Sequence, residues 1–368
     1  MALIDFEGFE HYNGSLPGGQ VVLYGRNWGV DGAQRHGIEG SARTGTYVYT
    51  TWCEGNNLDG GMYRSLTASE EHATLVVGFA IRNVVFTYGA TQPILILTSD
   101  GATKTPHFAL TLQSDGSLKA KRGNWWDGTE LGTSSTMTWT AGQWYYVEAK
   151  VTLSDTVGVV NVRVNGTTML NLTSQDTKDD TGTKSVFDRV YLPRGNSGYG
   201  TVTMVVDDLY ILNGSGAVRN DFLGPVKIYT VRPSGNGNSS QWTGSDGDST
   251  DNFNRVSDGP YFEATQFNTY VQASTASLRD EYAVGDLAPA TGTIHGVRVT
   301  ANAWRTDTPA KSLKLGVRSG ATSDFSASAA ALDQITYAYS RVMEQNPIGP
   351  DDWTISTVNS VQIGIESA

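Results

Sequence analysis

The feature that most limits how this chain can fold is the repetition of short alternating segments joined by turn residues. In VVNVRVNGTTML, residues 159–170, Val160, Val162 and Val164 alternate with Asn161 and Arg163. This is the period of two expected for a half-buried strand. Asn165 and Gly166 favour a type I′ turn, because both tolerate positive φ. A two-residue loop places Val162 opposite Met169, so the sequence predicts a β-hairpin.

A second hairpin is predicted in HFALTLQSDGSLKAK, residues 107–121. A two-residue Asp-Gly loop pairs Leu112 with Lys119 and mixes apolar with charged side chains on one face. A three-residue loop over residues 115–117 pairs Leu112 with Ala120 instead. The hydrophobic register favours the three-residue loop with a bulged turn.

Further segments indicate buried strands at short spacing. They are TLVVGFAIRNVVF (74–86), PILILT (93–98) and QWYYVEAKVTL (143–153). Almost no helical period is present, and the 42 glycines supply many turns. The sequence therefore predicts an all-β fold, a sandwich or jelly roll of antiparallel strands rather than βαβ units.

The character of the chain changes after residue 214, where a segment rich in Gly, Ser and Asn leads to Pro225. We expect a first β-domain over residues 1–214, a linker over 215–224 and a second β-sandwich domain over 225–368. In the second half, VKIYTVRP (226–233) is predicted as the opening strand.

After that strand we expect a polar loop, SGNGNSSQWTGSDGDSTDNF (234–253), and then further alternating segments. The segment SASAAALDQITYAYSRVMEQ is rich in Ala, which permits a helix. Its Ile335, Tyr337 and Tyr339 alternate, which favours a strand from Ile335 onward.

Charge and cysteine content exclude several classes of partner. A net charge of −11 disfavours nucleic acid and anionic membrane surfaces. The single cysteine, Cys53, excludes an intrachain disulfide framework. The N-terminus has no secretory-signal pattern, and no apolar run approaches the length of a membrane span. We therefore expect folding in a reducing cytoplasm.

Two adjacent acids, Asp207 and Asp208, interrupt the apolar run TVTMVVDDLYILNGSG, residues 201–216. Strict alternation puts Asp208 on a face with Tyr210 and Asp207 on a face with Leu209. A carboxylate among apolar neighbours is costly unless hydrogen bonds satisfy it. The favoured interpretation is structural, with backbone N–H groups of an adjoining loop as donors; a metal ligand or a catalytic role is the alternative.

Patterns of known active sites are missing from the sequence. No Glu-x-Asp-x-x-Glu spacing is present for sugar hydrolysis, and no Gly-x-Ser-x-Gly elbow is present for a nucleophile. The five histidines lack zinc-binding spacing, and no phosphate-binding glycine loop is found. We expect no enzyme, no cofactor and no metal.

Two aspartate-rich loops are candidates for calcium because hard oxygen ligands suit that ion. Neither loop has the EF-hand order of ligands, so a solvated turn is favoured for both. Their acidic residues are Asp176, Asp179 and Asp180 in the first loop, and Asp246, Asp248 and Asp251 in the second.

The segment GNWWDG contains Trp125 and Trp126, which are the best candidates for stacking on a sugar. Adjacent exposed indoles can bind pyranose rings through apolar contact. The alternation of a strand instead sends at least one indole into the core or into a subunit contact, and this second interpretation is favoured.

Several landmarks together resemble a known class of protein. The opening MALIDFEGFEHY resembles the starts of tailed-bacteriophage virion proteins. GQWYYVEAKVTL, VRVNGTTML and VDDLYILNGSG are similar to consecutive strands of a concanavalin A-like, laminin-G-type jelly roll. In that fold the Asp-Asp-Leu-Tyr run closes the sheet beside the first strand. The remainder, from NDFLGP to NPIGPDDWTISTVNSVQIGIES, is similar to the second half of the same phage proteins.

The resemblance implies a non-enzymatic structural component on the surface of a tailed-phage virion, at the tail, at the fibres or as a head decoration. Its partners would be other virion proteins and further copies of itself, with neither nucleic acid nor membrane. Its location would be the virion, assembled in the cytoplasm of the host bacterium. The alternative is a carbohydrate-binding module that recognises a host-surface glycan through Trp125 and Trp126, and a glycoside hydrolase is the least favoured.

Overall fold

The fold is almost entirely β. The structure is a computed structural model that describes residues 2–10, 27–31, 36–40, 42–53, 61–83, 91–101, 103–193, 202–257, 268–349 and 352–368. Within these ranges the strands form antiparallel sheets, and the prediction of an all-β sandwich fold is confirmed. No helix in the described ranges is long and apolar enough to cross a membrane.

The chain divides into two compact units, of which the first ends at Ile228 and the second runs over Tyr229–Ala368. Fifteen strands of the first unit are described. They are β1 (Leu3–Glu7), β2 (Trp28–Asp31), β3 (His36–Gly40), β4 (Tyr47–Cys53), β5 (Gly61–Ser65), β6 (Thr74–Asn83), β7 (Gln92–Ser99), β8 (Thr105–Leu112), β9 (Leu118–Arg122), β10 (Thr129–Thr133), β11 (Trp144–Thr152), β12 (Gly158–Val164), β13 (Thr167–Gln175), β14 (Arg189–Pro193) and β15 (Val202–Asn213).

These strands form two antiparallel sheets among the described residues. The eight-stranded sheet has the order β13-β12-β11-β6-β15-β4-β3, with β1 also paired to β15. The seven-stranded sheet has the order β10-β9-β8-β7-β14-β5-β2. Apolar side chains from both sheets are fully buried, such as Phe79 on β6 and Phe108 on β8, as expected for a sandwich core. The pairing of β1 with β15 is the one that the jelly-roll resemblance implies.

The first predicted hairpin forms, with a different register beyond its turn. Asn165 and Gly166 both have positive φ, as a type I′ turn requires. A bulge then shifts the pairing, so that Val162 lies opposite Leu170 and not opposite Met169. The extra residue in β13 is the physical reason, since it places two residues of that strand against one residue of β12.

The second hairpin has a three-residue loop, but one residue earlier than predicted. Gln113 and Ser117 close the loop through backbone hydrogen bonds, so residues 114–116 form the turn. Leu112 therefore pairs with Leu118, and the predicted partner Ala120 pairs elsewhere on β8. Gly116 supplies the positive φ of the bulged turn. The observed register pairs two leucines, so it matches apolar side chains across the hairpin better than the predicted one does.

The second unit contains three antiparallel sheets among its described residues. A six-stranded sheet has the order β16-β19-β25-β21-β22 with β23 on β21, and the pairs β17-β18 and β20-β24 form two smaller sheets. Its elements are β16 (Pro233–Ser240), β17 (Thr243–Gly244), α1 (Phe253–Val256), β18 (Val271–Gln272), β19 (Arg279–Val284), β20 (Val297–Ala303), β21 (Ser312–Ser319), β22 (Thr322–Phe325), β23 (Ala330–Ala331), β24 (Tyr337–Met343), α2 (Ile355–Ser360) and β25 (Gln362–Ser367).

Two predictions for the second half are wrong in detail. VKIYTVRP forms no strand over residues 226–232, and β16 instead occupies the start of the segment predicted as a polar loop. This strand lies at the edge of its sheet, where backbone pairing to β19 sustains it without an apolar face. The ambiguous Ala-rich segment contains the short β23 and then β24, which begins at Tyr337, two residues after Ile335.

Candidate functional site

The acid pair lies at a bulge in β15. Asp207 is opposite Ala80 and Tyr210 is opposite Gly78, so two residues of β15 face a single residue of β6. Asp208 adopts a positive φ of 50°, a conformation that aspartate tolerates better than most residues. The bulge corrects the predicted faces, because Asp207 and Tyr210 now share one side of the sheet.

Asp207 is fully buried and its carboxylate is surrounded by backbone donors. Its Oδ2 accepts hydrogen bonds from the backbone N–H of Arg43 at 2.9 Å and of Thr44 at 3.1 Å. Its Oδ1 accepts from the N–H of Asp208 at 2.8 Å. The loop before β4 is thereby attached to the bulge of β15.

Asp208 is also fully buried, and both of its oxygens accept hydrogen bonds. The Arg43 guanidinium lies 2.5 Å from Oδ2, and the Thr44 hydroxyl donates to the same oxygen at 2.9 Å. Oδ1 accepts from the N–H of Ile228 at 2.7 Å. Burial raises the pKa of Asp208, while the Ile228 and Arg43 contacts oppose that rise.

Burial and the neighbouring charge of Asp208 raise the pKa of Asp207 to about 8. Backbone N–H donors oppose this rise, because they favour the charged carboxylate. Arg43 supplies one positive charge to two adjacent carboxyls. This cation and the backbone donors together offset part of the cost of burying the two acids.

A short segment of the chain, residues 221–228, covers this part of β15, and we call it the strap. The Gly224 N–H donates to Oε1 of Glu148 at 2.8 Å, and the Leu223 N–H donates to the Tyr210 hydroxyl at 3.2 Å. Tyr210 in turn donates to the same Glu148 oxygen at 2.5 Å. Two buried polar side chains thus satisfy two successive backbone groups of the strap.

One side chain from the loop before β4 and one from β12 hold the strap at further points. The Arg43 guanidinium donates to the carbonyl of Val226 at 2.6 Å. The Arg163 guanidinium lies over the ring of Phe222 at 4.1 Å from its centroid, within range of a cation–π interaction. The strap therefore packs against the face of the sheet that carries the acid pair.

All four carboxylate oxygens of the pair accept hydrogen bonds from the protein. The side chains have no exposed surface from which to reach a substrate. Among the described ranges, no group of three or more His, Cys, Asp or Glu is placed to hold a metal ion. What this arrangement can do is join three separate stretches of backbone, namely the loop before β4, the bulge and the strap.

Sequence reasoning missed Arg43, Glu148 and the strap as partners of the pair. Glu148 carried a usable signal, because it is a lone acid within the apolar strand WYYVEAKV. Arg43 carried none, since its separation from Asp208 is 165 residues and its own segment has no regular pattern.

The two tryptophans have unequal exposure. Trp125 is 7% exposed and Trp126 is 51% exposed. Their rings meet edge to face, with centroids 5.6 Å apart and planes at 85°. The Lys121 ammonium donates to the Trp126 carbonyl at 3.2 Å. One exposed indole is therefore presented, and the pair does not form a flat two-ring platform.

The first aspartate-rich loop is occupied by contacts within the protein. Asp176 pairs with the Arg122 guanidinium. Asp179 accepts from the backbone and hydroxyl of Thr181. These contacts are typical of a polar turn. In the second loop, Asp246 pairs with Arg255, and Oδ1 of Asp248 accepts from the N–H of Thr250 at 2.7 Å.

No protein-family model matches the chain, and no curated protein matches it. Among solved structures, it is similar to the cellulose-induced protein Cip1, with 14% identity and a TM-score of 0.38 over 56% of this chain and 96% of that one. The alginate lyase Aly36B matches with 12% identity and a TM-score of 0.33 over 45% and 80% of the two chains.

A carbohydrate esterase from the Shiga toxin-encoding bacteriophage phi24B matches with 13% identity and a TM-score of 0.34. The match covers 51% of this chain and 90% of that one. At these identities and scores the three likenesses carry no argument about activity.

Proposed function

We propose that this chain is a non-enzymatic structural component on the surface of a tailed-phage virion, associated with the tail or fibres or decorating the head. The observation that carries the proposal is the use of the acid pair. Asp207 and Asp208 are the residues of the sequence that most suggest chemistry. Both are fully buried, and their carboxylate oxygens accept hydrogen bonds from donors of the protein itself.

The composition supports this role. Two strand-rich units need no disulfide, and a net charge of −11 keeps copies of the chain from associating nonspecifically. The partners would be other virion proteins and further copies of this chain, arranged by the symmetry of the particle. The resemblance of the opening strand and of the Asp-Asp-Leu-Tyr run to phage virion proteins points the same way.

The experiment is to purify particles of the phage that encodes this chain, identify their proteins by mass spectrometry and calculate a density map of the particle. The expected result is many copies of the chain at symmetry-related positions. Absence from purified particles, with the chain present in the lysate, would contradict the proposal. Release of reducing sugar by the purified chain would contradict its non-enzymatic part.

The second function is carbohydrate binding at Trp126, which would serve recognition of a host-surface glycan. The observation that favours it is the 51% exposure of this indole, whose ring is braced edge-on by the buried Trp125. A large aromatic face held in one orientation suits stacking on a pyranose ring.

The test compares the wild-type chain with the Trp126→Ala variant in binding to host cells and to a glycan array. Carbohydrate binding predicts saturable binding that Trp126→Ala abolishes, with folding and particle assembly intact. Equal binding by the variant, or no binding by the wild type, excludes this function. The control is Val157→Ala, which removes another exposed apolar side chain, on a different loop.

A further inference from the structure

In the second unit, Asn252 is fully buried although it belongs to the aspartate-rich loop over residues 244–252. Its Nδ2 donates to the carbonyl of Trp242 at 2.9 Å and to Oδ2 of Asp280 at 2.6 Å. Both partners are acceptors, so the nitrogen must face them. The orientation of the amide is therefore determined, and its Oδ1 points the other way.

Oδ1 of Asn252 is buried and has no hydrogen-bond partner among the described residues. A buried carbonyl oxygen without a partner costs about 1–3 kcal/mol, and most such oxygens in proteins are satisfied. The position therefore requires a donor or a cation that the described residues do not supply.

Two other oxygens converge with Oδ1 of Asn252. A side-chain carbon built on Gly244 would stand 2.5 Å from Oδ1 of Asp246, 3.0 Å from Oδ1 of Asn252 and 3.2 Å from the carbonyl oxygen of Asp248. Gly244 has no side chain, so the three oxygens lie together beside its Cα, and the Asp248 carbonyl also accepts the Gly244 N–H at 2.5 Å. A carboxylate, an amide and a main-chain carbonyl thus direct negative charge or negative dipole ends toward the same small region.

We propose that these three oxygens form part of a Ca²⁺ site. Calcium accepts six to eight oxygen ligands of mixed type in flexible geometry, whereas magnesium requires a regular octahedron. Waters would complete the coordination. Only one of the three ligands is a carboxylate, so the site is not a cluster of acidic residues. A bound ion would also distinguish this loop from the solvated turn that the sequence predicts.

The surroundings of Asp246 set the expected strength of binding. Arg255 holds the other oxygen of this carboxylate, which keeps Oδ1 directed toward Gly244 and also withdraws negative charge from the ion. With three protein ligands and a neighbouring cation, the expected Kd is about 10⁻⁴ to 10⁻³ M, the range of extracellular calcium modules.

The experiment is calorimetric titration of the chelator-treated full chain with CaCl₂, together with thermal unfolding with and without the ion. Asp246→Asn keeps an acceptor for Arg255 and removes the charge from the site. Asp251→Asn is the matched control, because this aspartate lies in the same loop and its carboxylate accepts from the Asn236 amide at 3.4 Å and is none of the three oxygens. Both variants change the net charge of the chain by one.

The expected result is saturable binding of one Ca²⁺ that raises the unfolding temperature of the second unit. Asp246→Asn should weaken binding at least about tenfold, while Asp251→Asn should change it by less than about threefold. If Asp246→Asn fails to fold, the wild type is titrated with MgCl₂ instead. The proposal then predicts that Mg²⁺ raises the unfolding temperature much less than Ca²⁺ does. Absence of saturable binding, equal loss in both variants, or equal stabilisation by both ions would overturn the proposal.

Discussion

The Arg43 guanidinium lies 2.5 Å from the Asp208 carboxylate, across 165 residues of sequence. Their side chains are 16% and 0% exposed, so the ion pair is shielded from water. The same guanidinium donates to the carbonyl of Val226 in the strap. One cation thus connects the loop before β4, the bulge of β15 and the segment that leads toward the second unit.

Arg43→Met should strongly destabilise the first unit. The substitution leaves the Asp208 carboxylate buried without its cation and removes the hydrogen bond to Val226. Breaking a buried pair from one side costs about 3–5 kcal/mol. The measurement is the free energy of unfolding by guanidinium chloride, followed through the transition of the first unit.

Lys150→Met is the control for this prediction. Lys150 pairs with Asp221 of the same strap at 3.2 Å, but the two side chains are 29% and 62% exposed. A solvated pair contributes at most about 1 kcal/mol. Equal losses in Arg43→Met and Lys150→Met would show that burial of the Arg43 pair carries no special stability.

Gly78→Ala should destabilise the first unit because Tyr210 lies over Gly78. A side-chain carbon at this position would stand 2.2 Å from the Tyr210 ring. The ring would have to move, which disturbs its hydrogen bonds to Glu148 and to the strap. We expect a loss of about 1–3 kcal/mol in the free energy of unfolding, or more, as in other overpacked cores.

Gly285→Ala, in the second unit, is the control, since apart from its chain neighbours no atom of the described residues lies within 4 Å of the added carbon. The expected change is small or slightly stabilising, up to about 1 kcal/mol, through reduced freedom of the unfolded chain. Unchanged stability in Gly78→Ala would contradict the close packing of Tyr210 against β6.

His107 should make the stability of the first unit depend on pH. The ring is fully buried; Nδ1 accepts from the Asp179 N–H at 2.9 Å, and Nε2 lies 2.7 Å from the Ser99 hydroxyl. Nε2 therefore carries the proton of a neutral ring. Burial lowers the pKa of His107 below its usual value of 6.5.

In the unfolded chain this histidine binds a proton near pH 6.5. In the folded chain it binds the proton only at lower pH. The contribution of His107 to the free energy of unfolding should therefore be fully present above pH 6.5. It should be lost as the pH decreases from 6.5 toward the lowered pKa. The measurement is the free energy of unfolding between pH 8 and pH 5. His107→Gln should show a shallower decrease over this interval; parallel curves would contradict the assignment.

The two tryptophans should differ in their contribution to stability. Trp125→Ala removes a buried indole and should cost about 3–5 kcal/mol. Trp126→Ala removes a half-exposed indole and should change the free energy of unfolding by less than about 1 kcal/mol. Thermal and chemical unfolding of the two variants test this difference. Equal losses would mean that Trp126 also supports the fold and is a poor probe of glycan binding.

Local patterns predicted much of the fold. The alternation in β12 and the Asn165-Gly166 turn identified a real hairpin, and the apolar runs identified β6, β7 and β11. The register beyond the first turn was wrong because a bulge at β13 leaves no mark in a pattern of period two. The strand β16 was missed because its residues are small and polar, and backbone pairing at a sheet edge requires no apolar face.

The candidate site was predictable only in part. The cost of burying Asp207 and Asp208 indicated that donors must be present. The identity of those donors depended on tertiary contacts, since Arg43 and Ile228 lie far from the pair or beyond the end of β15. The bulge at Asp208 was also hidden, because two adjacent acids in a strand do not specify a positive φ.

The most direct test of the architectural role of the acid pair is the free energy of unfolding of the Asp208→Asn variant. The substitution puts an amide NH₂ among donors and removes the carboxylate that pairs directly with the Arg43 guanidinium. We predict a loss of about 3–5 kcal/mol in the first unit, with no catalytic activity in either protein. Unchanged or increased stability, together with loss of an enzymatic activity present in the wild type, would contradict the account.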